Sequence, residues 1–239
     1  MPTTVVPTTA VPTVVVTPPD SEDGNLFVNP GMEGDTRWVG FVEINVVESW
    51  WPFYCDDPYV SGGCEAPQPC EDGTASGCNP DGLMMGRPEF KASTEETRYR
   101  GGESAQQWFC FYKVCTAGIY QTIATTPGET CTITAWVRTW STNEIGYIDT
   151  PSDTSTADAR ANSRWVIKVD PTGGTYAFAG DLLESTEFLY EDGHFDAWAQ
   201  ISYSFTAQGQ SATVFFENRR LWPIRHNDSF VDDVFASCN

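Results

Sequence analysis

Between Cys131 and Arg138 the side chains alternate without a slip. Cys131, Ile133, Ala135 and Val137 fall on one side, and Thr132, Thr134, Trp136 and Arg138 on the other. A period of two fits a strand with one buried face and excludes a helix, whose apolar positions recur every three or four residues. Two further apolar runs precede it, at 106–112 and 118–124. Pro127-Gly128 sets a turn between the last two, because proline presets its own φ and glycine accepts a positive one. The stretch 99–141 is therefore predicted as an antiparallel meander in the middle of an all-β domain.

The same signals recur along the chain. Strands are predicted at 26–28, 38–51, 163–170, 197–206, 212–217 and 229–235, and the strand at 163–170 stops at the turn Pro171-Thr172-Gly173-Gly174. Roughly ten short strands without helical periodicity define an antiparallel β-sandwich of two sheets. A length of 239 residues suits one such domain, taken here as 25–239.

Two stretches depart from this pattern. Residues 1–24 form an extended arm built on PTTVV, PTTAV and PTVVV. Its regular prolines prevent an uninterrupted ladder, leaving polyproline II or a stalk, and only 13–17 is a proline-free, β-branched run able to pair as a strand. Fully extended, its first nineteen residues reach roughly 60 Å, against about 45 Å for the width of the domain. Val5, Val6, Val11, Val14, Val15 and Val16 are thus the candidates for docking on a neighbouring copy. Residues 52–88 hold Cys55, Cys64, Cys70 and Cys78 among six prolines, without periodicity. Their spacing lacks a Cys-x-x-Cys knuckle, so a disulfide-held insertion is expected rather than a zinc site.

Eight cysteines place the chain in an oxidising, extracellular compartment. Cys110 and Cys115 bracket a tight segment, and Cys131 with Cys238 tying down the chain end is one pairing among many. A formal charge of -20, from 33 acidic and 13 basic residues, argues against nucleic acid or an anionic membrane as partner. No run is long enough to span a membrane. Met1 opens a Thr/Pro tract rather than a signal peptide, so it is not expected to be the natural start.

The sequence carries no Gly-x-Ser-x-Gly elbow, no His-Glu-x-x-His helix and no phosphate loop. His194 and His226 sit in polar, turn-like segments and read as surface hydrogen-bonders. An enzyme is not expected. Asn227-Asp228-Ser229 fits the N-glycan acceptor pattern.

The opening NLFVNPGMEGD and the closing FVDDVFA, with RGGESAQQWF, AGIYQTIATTPGETCTITAWV, DPTGG, FTAQGQSATVFFE and HNDSFVDDV between them, carry a family resemblance. The chain resembles carbohydrate-binding-module-like β-jelly rolls of the galactose-binding-like superfamily, in a bacterial extracellular branch that often sits on Thr/Pro-rich stalks. Met32 stands where those domains usually have phenylalanine. The resemblance covers 25–236 apart from the cysteine-rich insertion and implies a jelly-roll sandwich, saying little about function. It also implies a structural calcium tying the opening loop to the last strand. Glu33 and Asp233 would be its ligands, with Asp232 or Asp35 assisting; the other reading leaves them as turn and strand-end carboxylates in solvent.

Two functions follow as expectations. The first is a non-enzymatic structural subunit whose arm docks on the next copy, a head-to-tail contact that does not close and so makes a filament. The second is a carbohydrate-binding module for a neutral glycan, gripped by aromatic faces near strand ends. Trp50, Trp51, Tyr54, Trp140 and Trp222 are the candidates for that grip.

Overall fold

The computed structural model describes residues 24–55, 87–142, 161–190, 194, 196–221 and 224–239. The six arm valines, Cys64, Cys70, Cys78 and Trp222 lie outside the described residues. In chain order the strands are β1 (Thr36–Val39), β2 (Phe41–Val47), β3 (Trp51–Tyr54), β4 (Glu89–Ser93), β5 (Ala105–Phe109), β6 (Cys115–Ala124) and β7 (Thr130–Thr142). They continue with β8 (Ser163–Asp170), β9 (Leu183–Glu184), β10 (Phe188–Leu189), β11 (Ala199–Thr206), β12 (Ser211–Arg220) and β13 (His226–Cys238).

These strands form two sheets. One has seven strands in the order β1-β2-β4-β5-β13-β7-β11; the other has six, five of them in the order β10-β8-β12-β6-β3, with β9 beside β8. Every pairing is antiparallel except a single parallel bridge, Ile44 to Phe90, between β2 and β4. The sheets pack face to face on one core. Trp108 of the first meets Trp165 of the second edge-on at 5.5 Å, and Phe27, Trp50 and Phe216 form a triangle with centroids 5.2–5.9 Å apart. The all-β sandwich is as expected, and β7 buries Cys131, Ile133, Ala135 and Val137.

The order of the strands is not as expected. The predicted meander does not exist, because β6 lies in the other sheet and β13 is inserted between β5 and β7. The turn at Pro127-Gly128 is present, with Gly128 at φ 93, but it carries the chain from one sheet to the other. Successive runs joined by tight turns look alike to a local pattern whether they pair or cross over. Only the final strand, supplied about a hundred residues later, shows that the slot beside β7 was reserved.

Two predicted strands are also corrected. Residues 26–28 are not a ladder strand: Asn25 caps the segment, its amide donating to Val234 O at 2.9 Å and its oxygen accepting the N–H groups of Phe27 and Ala236. The long strand predicted at 38–51 breaks into three. Gly40 and Ser49, at φ 78 and 75, turn the chain between β1 and β2 and before β3.

Both predicted disulfides outside the insertion are present, Cys110–Cys115 and Cys131–Cys238. Cys55 is also disulfide-bonded. The N-glycan pattern falls on a buried strand: Asn227 is 1% exposed, its oxygen taking the Cys110 N–H and Arg220 Nη1 and its amide donating to Ile224 O. Its nitrogen is already engaged inside the fold, which leaves no room for a sugar.

Candidate functional site

Residues directly opposite one another in an antiparallel pair point to the same face. On the six-stranded sheet, the register sets Trp51, Tyr120, Phe215, Lys168 and Glu184 in one row across β3, β6, β12, β8 and β9. Ile119, Phe216 and Ile167 of the neighbouring row are in the core, so the Trp51 row lies on the outer face. The next outer row runs Phe53, Gly118, Glu217 and Val166. Gly118 is required there, because a Cβ would come within 1.9 Å of Phe216 O and 2.7 Å of the Phe53 ring.

Aromatics therefore gather at the β3 end of this face. Trp51 is 47% exposed, with the Arg37 guanidinium stacked over its ring at 4.0 Å. Arg37 is fixed in turn by donating Nη2 to Trp50 O at 2.7 Å. Tyr120 is half-buried against Phe215 at 5.2 Å. Burial pushes its phenol above the ordinary range, while a hydrogen bond with Thr175 and the charge of Arg37 pull it down. Tyr176, half exposed, flanks the face from the connection between β8 and β9 and meets Phe178 edge-on.

At the β8 end the face is ionic. Lys168 Nζ lies 2.8 Å from Glu217 Oε2, and the Glu217 side chain is 0% exposed. Arg219 Nε holds the other Glu217 oxygen at 2.5 Å and reaches Glu187 at 3.1 Å, which Arg164 also pairs at 2.9 Å. The face thus carries an exposed stacking surface at its β3 end and a buried ion pair, Lys168 with Glu217, toward its β8 end.

Of the four sequence-selected aromatics among the described residues, only Trp51 stands on this surface. Trp50 is in the core at 0% exposure and donates Nε1 to Asn29 O; Tyr54 packs against Phe90. Trp140 belongs to the outer face of the other sheet and is 5% exposed, wedged between Arg98 at 4.6 Å and His226 at 6.2 Å. His226 is not the surface group expected: it sits on β13 with its ring against Phe111, and burial lowers its pKa. Arg37, Tyr120, Phe53 and Phe215 were missed. The alternation of β6 (Thr116, Gly118, Tyr120, Thr122 on one side) carried a signal for Tyr120, but nothing local marks Tyr176.

The carboxylates assigned to calcium by resemblance do converge, around the connection between β4 and β5. Glu33 accepts the Glu103 N–H at 3.0 and 3.1 Å and also takes that of Ser104. Asp232 accepts the N–H groups of Arg100 and Gly101 at 2.7 and 3.2 Å, and Asp233 pairs with Arg100 Nη1 at 2.5 Å. Glycines permit this approach, since a Cβ at Gly102 would lie 1.9 Å from Glu33 Oε1. Burial pushes Asp232 up to about 7, with the N–H donors opposing and Asp233 adding to it.

Calcium takes six to eight oxygens. Here N–H donors and a guanidinium occupy most of the carboxylate oxygens, and among the described residues no cluster of three or more His, Cys, Asp or Glu forms a cage. The arrangement does not fit the ion, and Asp35 is engaged elsewhere, its backbone carbonyl accepting the Glu48 N–H at 3.0 Å. Arg100 and the backbone N–H groups tie the opening loop to β13 instead. Thermal unfolding is expected at the same temperature in excess calcium and in excess EDTA. A calcium-induced rise above about 4 °C, more than roughly 1 kcal/mol for a chain this size, would show that the cation displaces Arg100.

The described residues define an antiparallel β-sandwich of jelly-roll type with an aromatic outer face. Solved structures similar to it include TmCBM61, in complex with β-1,4-galactotriose, at 12% identity and TM-score 0.44 over 90% of this chain and 99% of that one. A putative sugar binding protein from Bacteroides thetaiotaomicron is similar at 10% identity and TM-score 0.45, over 90% of this chain and 100% of that one. The tailspike protein 4 of bacteriophage CBA120 is similar at 10% identity and TM-score 0.48, over 92% of this chain but 22% of that one. No family model and no curated protein matches the chain. At these identities the likeness concerns the arrangement of strands.

Proposed function

We propose that the chain is an extracellular, non-enzymatic module that binds a neutral glycan on the outer face of its six-stranded sheet. The observation that carries this reading is Trp51: a 47% exposed indole, steadied by Arg37 and aligned across the strands with Tyr120. An exposed ring immobilised by a guanidinium suits stacking on a sugar, and the charge of -20 disfavours a polyanionic one. Disulfides among the described residues agree with an oxidising compartment. The filament reading depends on an arm that lies outside the described residues, and nothing in the described sandwich favours it.

The test is retention on immobilised neutral polysaccharides followed by calorimetry with Trp51→Ala. A loss of about 2 kcal/mol, roughly thirtyfold, is expected for removing a stacking anchor. Unchanged affinity in both Trp51→Ala and Tyr176→Ala would remove this face from consideration.

A further inference from the structure

The segment 171–182, between β8 and β9, lies across the outer face just described. It leaves β8 through a tight turn in which the Thr172 N–H and hydroxyl both donate to Asp170 Oδ1, at 2.8 and 2.7 Å. Burial would raise the Asp170 carboxyl, yet these bonds hold it below its ordinary value. Gly173 turns at φ 88, and a Cβ at Gly174 would meet Asp170 Oδ2 at 2.2 Å, so the turn admits little else. The carbonyl of Pro171 takes the N–H groups of Gln208 and Gly209, both at 3.0 Å.

Beyond the turn the segment is pinned at each strand it crosses. Thr175 hydrogen-bonds Tyr120 of β6. Lys168 of β8 donates Nζ to Ala177 O at 3.3 Å. Phe178 meets Phe53 of β3 edge-on at 5.9 Å, and Ala177 and Leu182 close over Phe215 of β12. The consequence is a division of the face: Trp51 is open, while Phe215, two strands away in the same row, and Glu217, in the next outer row on β12, are fully buried.

We infer that residues 171–182 are a fixed wall that ends the glycan face just past Tyr120, so that the site takes a chain end or a short oligosaccharide, not the interior of a long chain. This rests on the glycan reading above. From Trp51 to Phe215 is two strand spacings, roughly 10 Å, and a sugar chain running across the strands meets Ala177 over Phe215 within that distance, with Phe178 beside it over Phe53 of β3. A loop poised to open would not hang its carbonyl on an ammonium that is itself held by Glu217. The wall therefore sets the length of ligand that gains affinity.

The experiment is calorimetry of the native protein and of Phe178→Ala with gluco-, xylo-, manno- and galacto-oligosaccharides from disaccharide to hexasaccharide. The native protein is expected to stop gaining affinity at the trisaccharide, and Phe178→Ala to gain about tenfold from trisaccharide to hexasaccharide. Native affinity that climbs steadily to the hexasaccharide overturns the wall while leaving the Trp51 site standing. Absence of binding to every ladder overturns the glycan reading and the wall with it. The native length profile decides the matter even where Phe178→Ala fails to fold.

Discussion

Replacing Cys131 and Cys238 together by alanine lowers the free energy of unfolding by about 4 to 5 kcal/mol, measured by urea denaturation under oxidising conditions. The bond closes a loop with a sequence separation of 107, and the chain-entropy account assigns about 4.7 kcal/mol to a loop of that order. The second disulfide is the internal control. Cys110–Cys115 spans a separation of 5, for which the same account gives only about 2 kcal/mol. For a domain whose whole stability is of the order of 5–15 kcal/mol, the first loss approaches unfolding and the second does not. Equal costs for the two double variants would mean that loop closure is not how these bonds stabilise the chain.

The position of the long bond also explains why that pairing could be put forward from sequence, as one among many, while the strand order could not. Cys131 opens the alternating run and Cys238 closes the last strand, and in the fold the two face each other across the β13–β7 ladder. A cysteine on an inward-facing position of a strand limits its partners to whatever lies beside that strand. By contrast, nothing local told β6 from its neighbours. β6 and β7 are both apolar strands after turns, and only the non-local partnership of β12 with β6 and of β13 with β7 separates them into different sheets.

The candidate site divides in the same way. Trp51 was legible because it is an aromatic residue at a strand end. Trp50 and Trp140 satisfied the same description and are buried, since adjacent residues of a strand face opposite ways and the other sheet has its own covered outer face. Which tryptophan is exposed depends on register and on what crosses the sheet. The segment 171–182 gave no periodic signal, yet it decides which half of the aromatic row stays open.

The ion pair beneath that segment gives the second large effect. Lys168→Met is expected to cost about 3 kcal/mol by urea denaturation, because it strands a carboxylate that no water reaches. Glu217 would keep only Arg219, whose guanidinium is already shared with Glu184 and Glu187. The double variant Lys168→Met/Glu217→Leu removes the stranded charge along with its partner. It should therefore be more stable than the single variant, within about 1 kcal/mol of the native protein. The same pair of variants separates two roles of Lys168. In both, Ala177 O loses its ammonium donor, so a wall held chiefly by that bond would loosen equally in single and double variants, and both would acquire the length-dependent affinity of Phe178→Ala. A wall held chiefly by the packing of Phe178 on Phe53 would leave the length profile unchanged in the double variant. Lys168 would then act on the charge it neutralises rather than on the segment above it.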